Sequence, residues 1–244
     1  MQFSVLVHLL NIFAFLFCLY LLSKDDFMLF RKNVSLDKVF DLAFLTIGIG
    51  ILSARIGFVI FNFNYHFLNP LYFFLFPYFP GLSIAGGIIG SFLFLFIYCL
   101  NSKISFHRIF DFFAFSFLFA LPFGFVIEIF NSLISKKTIV TILYLEILIY
   151  FISFLGIYII FKKIKLEDGS LGFLSLMFFS ILSFIFNIGG QWKKISFLNE
   201  NLLLLVIFLI SSFFIVKEEK LYLKIRKINF KKIKAINLKF WKRK

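Results

Sequence analysis

Arg55 stands inside a long apolar run, Ile51-Leu-Ser-Ala-Arg-Ile-Gly57. A charge in that setting costs from about 2.5 to over 10 kcal/mol unless it is paired or hydrated. A guanidinium matches a phosphate bidentately, so Arg55 suits a grip on an anion such as a lipid phosphate. An interhelical ion pair would satisfy it equally well, and Glu128 and Glu146 are the acids within later apolar runs. Gly81-Leu-Ser-Ile-Ala-Gly-Gly-Ile-Ile-Gly90 opens another run. Its four glycines admit close backbone approach, by a second helix or by a ligand. Bare amides at a helix start also attract anions. His8 and His107 have no ligand partners at metal spacing, and His66 is unassigned. No hydrolytic triad, phosphate loop, zinc site or cofactor motif assembles. Cys18 and Cys99 both fall in apolar runs and signal neither metal nor disulfide.

The elements that carry these residues are membrane spans. Of 244 residues, 61% are hydrophobic and 16% charged, against about 45–50% and 25% in a soluble domain. Mean hydropathy is +1.00. That excludes a soluble globular domain, a disordered chain and a disulfide-stapled module. The 43 Phe residues accompany many Ile, Lys and Asn, the residues of AT-rich codons, so a single Phe carries little functional weight.

Seven apolar runs are predicted as helices: roughly 3–22, 39–61, 82–100, 109–134, 138–161, 171–190 and 201–216. They are apolar on every face, as lipid-embedded helices are, and lack the alternation of barrel strands. The first run has no preceding Lys or Arg and no small-residue cleavage site, so a retained helix is expected rather than a signal peptide. The expected class is an all-α polytopic membrane protein of about seven spans. Residues 1–216 form the membrane domain and 217–244 a basic tail.

Lys and Arg set its orientation. The tail and the connections after runs one, three and five hold 21 of the 26 basic residues. The connections after runs two, four and six hold four, and Arg55 is in none. The N-terminus is expected outside and the C-terminus in the cytoplasm, with the inner membrane of a bacterium as the location. Residues 62–80, with Pro70, Pro77 and Pro80 among aromatics, cannot continue a helix. They read as an external arm on the membrane or a plain external loop.

The tail holds twelve Lys or Arg and two acids. Apolar residues recur three or four apart, so one face of a helix would be apolar. Lys231, Lys232, Lys234 and Trp241 are the expected membrane-surface contacts, each basic residue worth about 1 kcal/mol on an anionic leaflet. With the membrane the nearer polyanion, nucleic acid is not an expected partner. A peptide of residues 217–244 is expected to turn helical on phosphatidylglycerol vesicles and to bind less in high salt. If circular dichroism shows it unstructured on such vesicles at low salt, only a topological role remains.

With these elements in order, Ser53-Ala-Arg-Ile-Gly-Phe-Val-Ile-Phe61 resembles the G-A-R-x-G-Y-V-x-F segment of bacterial prolipoprotein diacylglyceryl transferases. Asn69-Pro-Leu71 follows where that family has its external arm. Residues Gly81–Gly90 are similar to its G-x-S-F-H-G-G-x-x-G, and Asp111-Phe-Phe-Ala114 to its D-x-x-A. Tyr144 is a candidate for the Tyr of H-P-x-Q-L-Y-E. The resemblance covers residues 1–190 and extends to the seven spans and outside N-terminus. It implies transfer of the diacylglyceryl group of phosphatidylglycerol onto the lipobox cysteine of a lipoprotein precursor. A thioether forms and glycerol phosphate leaves. Anionic phospholipid and a lipoprotein precursor are the implied partners. Arg55, Ser83, Gly86, Gly87, Glu128 and Asn131 are the implied substrate-binding residues, around a cavity open to lipid.

The sequence departs from that pattern at named positions. Ala85 stands for the His of H-G-G. In the G-R-x-G-N-F-x-N signature, Phe125 stands for the Arg and Glu128 for the first Asn, while Gly124 and Asn131 remain. The later R-F-x-x-E becomes Ser183-Phe-Ile-Phe-Asn187. Losing a cation that stabilises a leaving group costs about 10²–10³ in rate, so the sequence predicts little transfer. Three functions fit: a diverged transferase using Arg55 and Glu128, a non-catalytic relative binding phospholipid or a lipoprotein segment, and a transporter.

Overall fold

In the computed structural model, residues 2–31, 34–63, 67, 73, 81–134, 140–163, 166–190 and 200–219 are described. The expected contacts Lys231, Lys232, Lys234 and Trp241 lie outside them, as does most of the arm. The described chain is all α-helical. Helix α1 is Gln2–Ser23, α2 Phe27–Arg31, α3 Leu36–Phe61 and α4 Ile84–Asn101. Then come α5 Phe106–Ile134, α6 Val140–Lys163, α7 Ser170–Gly190 and α8 Glu200–Glu218. Six of them, α3 to α8, are long and apolar enough to cross a membrane, and Leu9–Ser23 of α1 is a shorter apolar stretch. The seven predicted runs are thus seven helices, and the chain is a polytopic membrane protein. Helix α2 was not expected. It is one short turn, capped where Asp26 Oδ1 accepts from the Leu29 N–H at 2.9 Å.

Helix α5 is the hub. In its window Phe106–Val126, 67% of residues are buried, against 17% in each of the windows of α3, α4, α6 and α8. Those outer helices turn Leu, Ile and Phe side chains outward, as lipid-facing helices do, because hydrocarbon gives no penalty for apolar exposure. Helix α5 packs on α1, α6 and α7, α3 packs on α4, and α7 on α8. One buried cluster joins α5 to α6, α7 and α8 through Phe115, Tyr150, Phe179 and Leu204. A second joins it to α1, α3 and α4 through Leu19, Leu42, Leu95 and Ile109.

The α3–α4 contact depends on missing side chains. A Cβ on Gly86 would lie 3.1 Å from the Ser53 carbonyl oxygen and 3.2 Å from Gly57 Cα. One on Gly87 would lie 3.2 Å from the Gly50 carbonyl oxygen. Backbones that meet this closely gain van der Waals contact without needing a hydrophobic drive, which lipid does not supply.

The two ends of the bundle differ. At one end, Arg108 of α5 donates from Nε and Nη2 to Asp26 Oδ2 and, at 3.0 Å, from Nη1 to Asp168 Oδ1. Buried Asp111 accepts from the amides of Gly169 and Gly172, at 2.7 and 2.6 Å, and so caps α7. Glu219 at the end of α8 accepts from the Glu167 amide at 3.0 Å. His107 is 3.5 Å from Glu218. Residues after helices α1, α4, α6 and α8 therefore share one end, as alternating spans require. By the distribution of Lys and Arg this is the end expected to face the cytoplasm. The opposite end gathers the close of α3, the start of α4, the close of α7 and the start of α8.

Candidate functional site

At that opposite end, Arg55 is 2% exposed although it carries a full charge. Its Nε donates to the Phe73 carbonyl at 3.0 Å and its Nη1 to the Gly81 carbonyl at 2.9 Å. The guanidinium also lies over the rings of Phe67 and Phe58, at 5.2 and 5.7 Å. The buried cation of α3 thus ties down the backbone at Phe73 and at Gly81, three residues before α4. Gly81 has φ +149°, and a Cβ there would run into the Phe58 ring. Only glycine presents its carbonyl to Arg55 from that position.

Ser83 follows as the N-cap of α4. Its amide donates to the Ala54 carbonyl at 3.0 Å, and its hydroxyl oxygen accepts from the Gly86 amide at 3.1 Å. The same hydroxyl donates to Glu200 Oε1 at 2.9 Å, and the Ala85 amide donates to that oxygen at 3.1 Å. The carboxylate of Glu200, first residue of α8, therefore caps α4, where the macrodipole favours a negative charge.

Ser83 and Glu200 line a cavity of about 150 Å³ with Phe58, Phe61, Asn62, Asn187 and Asn201. Asn187 Nδ2 donates to Asn201 Oδ1 at 3.0 Å, tying the end of α7 to the start of α8. Five polar residues from the ends of four helices converge here, over two phenylalanines of α3.

Of the residues singled out in the sequence, Arg55, Ser83, Gly86 and Gly87 come together at the α3–α4 corner. Ser83 lines the cavity, Arg55 lies over the ring of Phe58, which also lines it, and the two glycines face α3. Glu128 and Asn131 fall on the last turns of α5, and their side chains lie outside the described ones, as does His8. Glu200, Asn187, Asn62 and Asn201 were not anticipated as site residues. The sequence signals were the polar trio Asn199-Glu200-Asn201 at the edge of an apolar run and Asn187 at the Glu position of the R-F-x-x-E pattern.

The positions of the departures are also informative. Ala85 is wholly buried, and its amide touches Glu200. Phe125 stacks on Tyr150 with ring centroids 5.4 Å apart, and the Tyr150 hydroxyl lies 2.7 Å from Ser183 Oγ. The two positions where the pattern has an arginine that this chain lacks thus meet at one tyrosine, and both are neutral. Among the described residues, no group of three His, Cys, Asp or Glu could hold a metal ion.

A bundle of apolar helices with a buried arginine and a polar cavity at one end is a polytopic membrane protein. The chain belongs to the prolipoprotein diacylglyceryl transferase family, whose family model matches residues 3–220. It is similar to three curated phosphatidylglycerol–prolipoprotein diacylglyceryl transferases. The one from Clostridioides difficile (strain 630) is 36% identical over 33% of this chain and 32% of its own. The Clostridium novyi (strain NT) protein is 33% identical over 41% and 38%, respectively. Enzyme 1 of Clostridium perfringens (strain 13) is 35% identical over 38% and 35%. The chain thus spans about a third of the length of the curated relatives it matches.

Proposed function

We propose that the chain is a slow phosphatidylglycerol–prolipoprotein diacylglyceryl transferase of a bacterial inner membrane, working at its outer face. The observation that carries this reading is the corner where Arg55 fixes the start of α4 beside a polar cavity, within the Ser53–Phe61 and Gly81–Gly90 segments that resemble the family's motifs. The family's names supply phosphatidylglycerol and a lipoprotein precursor as the substrates. In the reaction the cysteine thiol loses its proton, a carbon–sulfur bond forms to the glyceryl carbon, and the carbon–oxygen bond to phosphate breaks. Glycerol phosphate carries away the electron pair. A thiolate attacks far better than a thiol, and a cation on the departing phosphate lowers the barrier.

The neutral Phe125–Tyr150–Ser183 group supplies no such cation, so transfer is expected at least about 10²-fold slower than in a relative with both arginines. The test is purified protein in vesicles with phosphatidylglycerol and a lipobox peptide, the thioether product being followed by mass spectrometry. Slow product formation that depends on the protein supports the reading. Product no higher than in protein-free vesicles sinks it. The same neutral group favours a second reading, a relative that binds phospholipid or lipoprotein precursor without transfer. Retention of the peptide with no product would select it.

A further inference from the structure

The cavity beside Glu200 has the wrong charge for a phosphate. Its lining carries a carboxylate, three side-chain amides and a hydroxyl, and no Lys or Arg among the described residues. Of the α4 amides that would greet an anion, that of Ala85 is already turned to Glu200 Oε1 and that of Gly86 to Ser83 Oγ. A phosphate seated there would face a fixed negative charge in a partly desolvated pocket, where like charges repel more than in water.

The same groups suit hydroxyls. A carboxylate accepts two hydrogen bonds in one plane, and an asparagine side chain both donates and accepts. Vicinal hydroxyls offer the same alternation of donor and acceptor at matching spacing. Phe58 and Phe61 give the carbon–hydrogen side of such a molecule an apolar wall. About 150 Å³ accommodates a glycerol or most of a hexose, taking about 30 Å³ of liquid volume for each water it would displace.

We infer that this cavity, formed by Asn62, Ser83, Asn187, Glu200 and Asn201, is a polyol subsite that binds the hydroxyl-rich, uncharged end of a lipid headgroup. The terminal glycerol of phosphatidylglycerol and the sugar of a glycosyl diacylglycerol share that chemistry. Binding there requires no transfer, so the inference stands apart from catalysis.

The experiment measures binding of short-chain lipids to the detergent-purified full chain by native mass spectrometry. The probes are dioctanoyl phosphatidylglycerol, dioctanoyl glucosylglycerol and dioctanoyl phosphatidic acid, the last a phosphate monoester with no polyol. At least one polyol lipid is expected to bind tenfold or more tighter than phosphatidic acid. Whichever polyol lipid binds tighter identifies the source. Glu200→Gln keeps an oxygen that can accept from Ser83 and Ala85, so the cap is preserved while the charge is removed. It is expected to shrink the preference over phosphatidic acid at least threefold. Asn201→Ala, which leaves the α4 cap untouched, is expected to weaken the polyol lipid and not phosphatidic acid. Equal or tighter binding of phosphatidic acid to the unaltered protein overturns the inference. So does an unchanged preference in both variants. A chain that fails in the transfer assay but shows the polyol preference would sink the transferase reading and leave this one standing.

Discussion

Asp111→Ala is expected to lower stability by about 3–5 kcal/mol, the range for removing one partner from a buried charged network. Asp111 is 3% exposed, and its two oxygens take the amides of Gly169 and Gly172. Alanine leaves both amides buried without an acceptor, at about 1–3 kcal/mol each. It also removes the negative charge at the start of α7, where the helix dipole favours it. The neighbouring Arg108 keeps Asp26 and Asp168, so the loss is local to the α5–α7 junction at first. Asp111→Asn retains one oxygen but turns an NH2 toward the other amide, so its loss should fall between those of Asp and Ala. Buried Cys18 and Cys99 give a direct readout, since maleimide labels them only when the helices open. Labelling rates during a detergent thermal ramp should rank Ala above Asn above the unaltered chain. If Ala labels no faster than the unaltered chain, the capping account is wrong.

The spans were legible because nothing but a helix satisfies every backbone group in lipid, and seven apolar runs give seven helices with ends within a few residues of those read. The one-turn α2 was not legible. Its cap, Asp26, lies in a loop whose acids and bases read as ordinary solvated charge. Arg55 was legible as a misfit, because an arginine in an apolar run demands an explanation. Two of its partners were not, since the carbonyls of Phe73 and Gly81 carry no side-chain signal. Glu200 escaped for a different reason. A carboxylate at a span border is unremarkable in sequence, and only the meeting of α8 with α4 places it on the Ala85 amide. Asp111 was visible as part of a motif, but its role needed Gly169 and Gly172 to arrive from a segment about sixty residues away.

Arg55→Ala is the substitution expected to separate a structural clamp from a ligand clamp. The guanidinium donates to two carbonyls, of Phe73 and Gly81, that precede α4 in the chain. Hydrogen bonds to a charged group contribute about 1.5–3 kcal/mol each, and each stacked ring about 0.5–2 kcal/mol. Allowing for relaxation, a loss of about 3–5 kcal/mol is expected on thermal unfolding, with the transfer rate falling with the α4 register. Arg55→Lys keeps the charge, but a single ammonium cannot reproduce the planar fork toward two separate carbonyls. About half the loss should remain. A ligand clamp makes the opposite prediction: Arg55→Ala would spare stability, because a buried charge held only for its ligand is a burden to the empty protein. In that case anionic-lipid binding would fall while the unfolding temperature held or rose. Unchanged unfolding in Arg55→Ala would therefore dismiss the anchor and return the arginine to the phosphate.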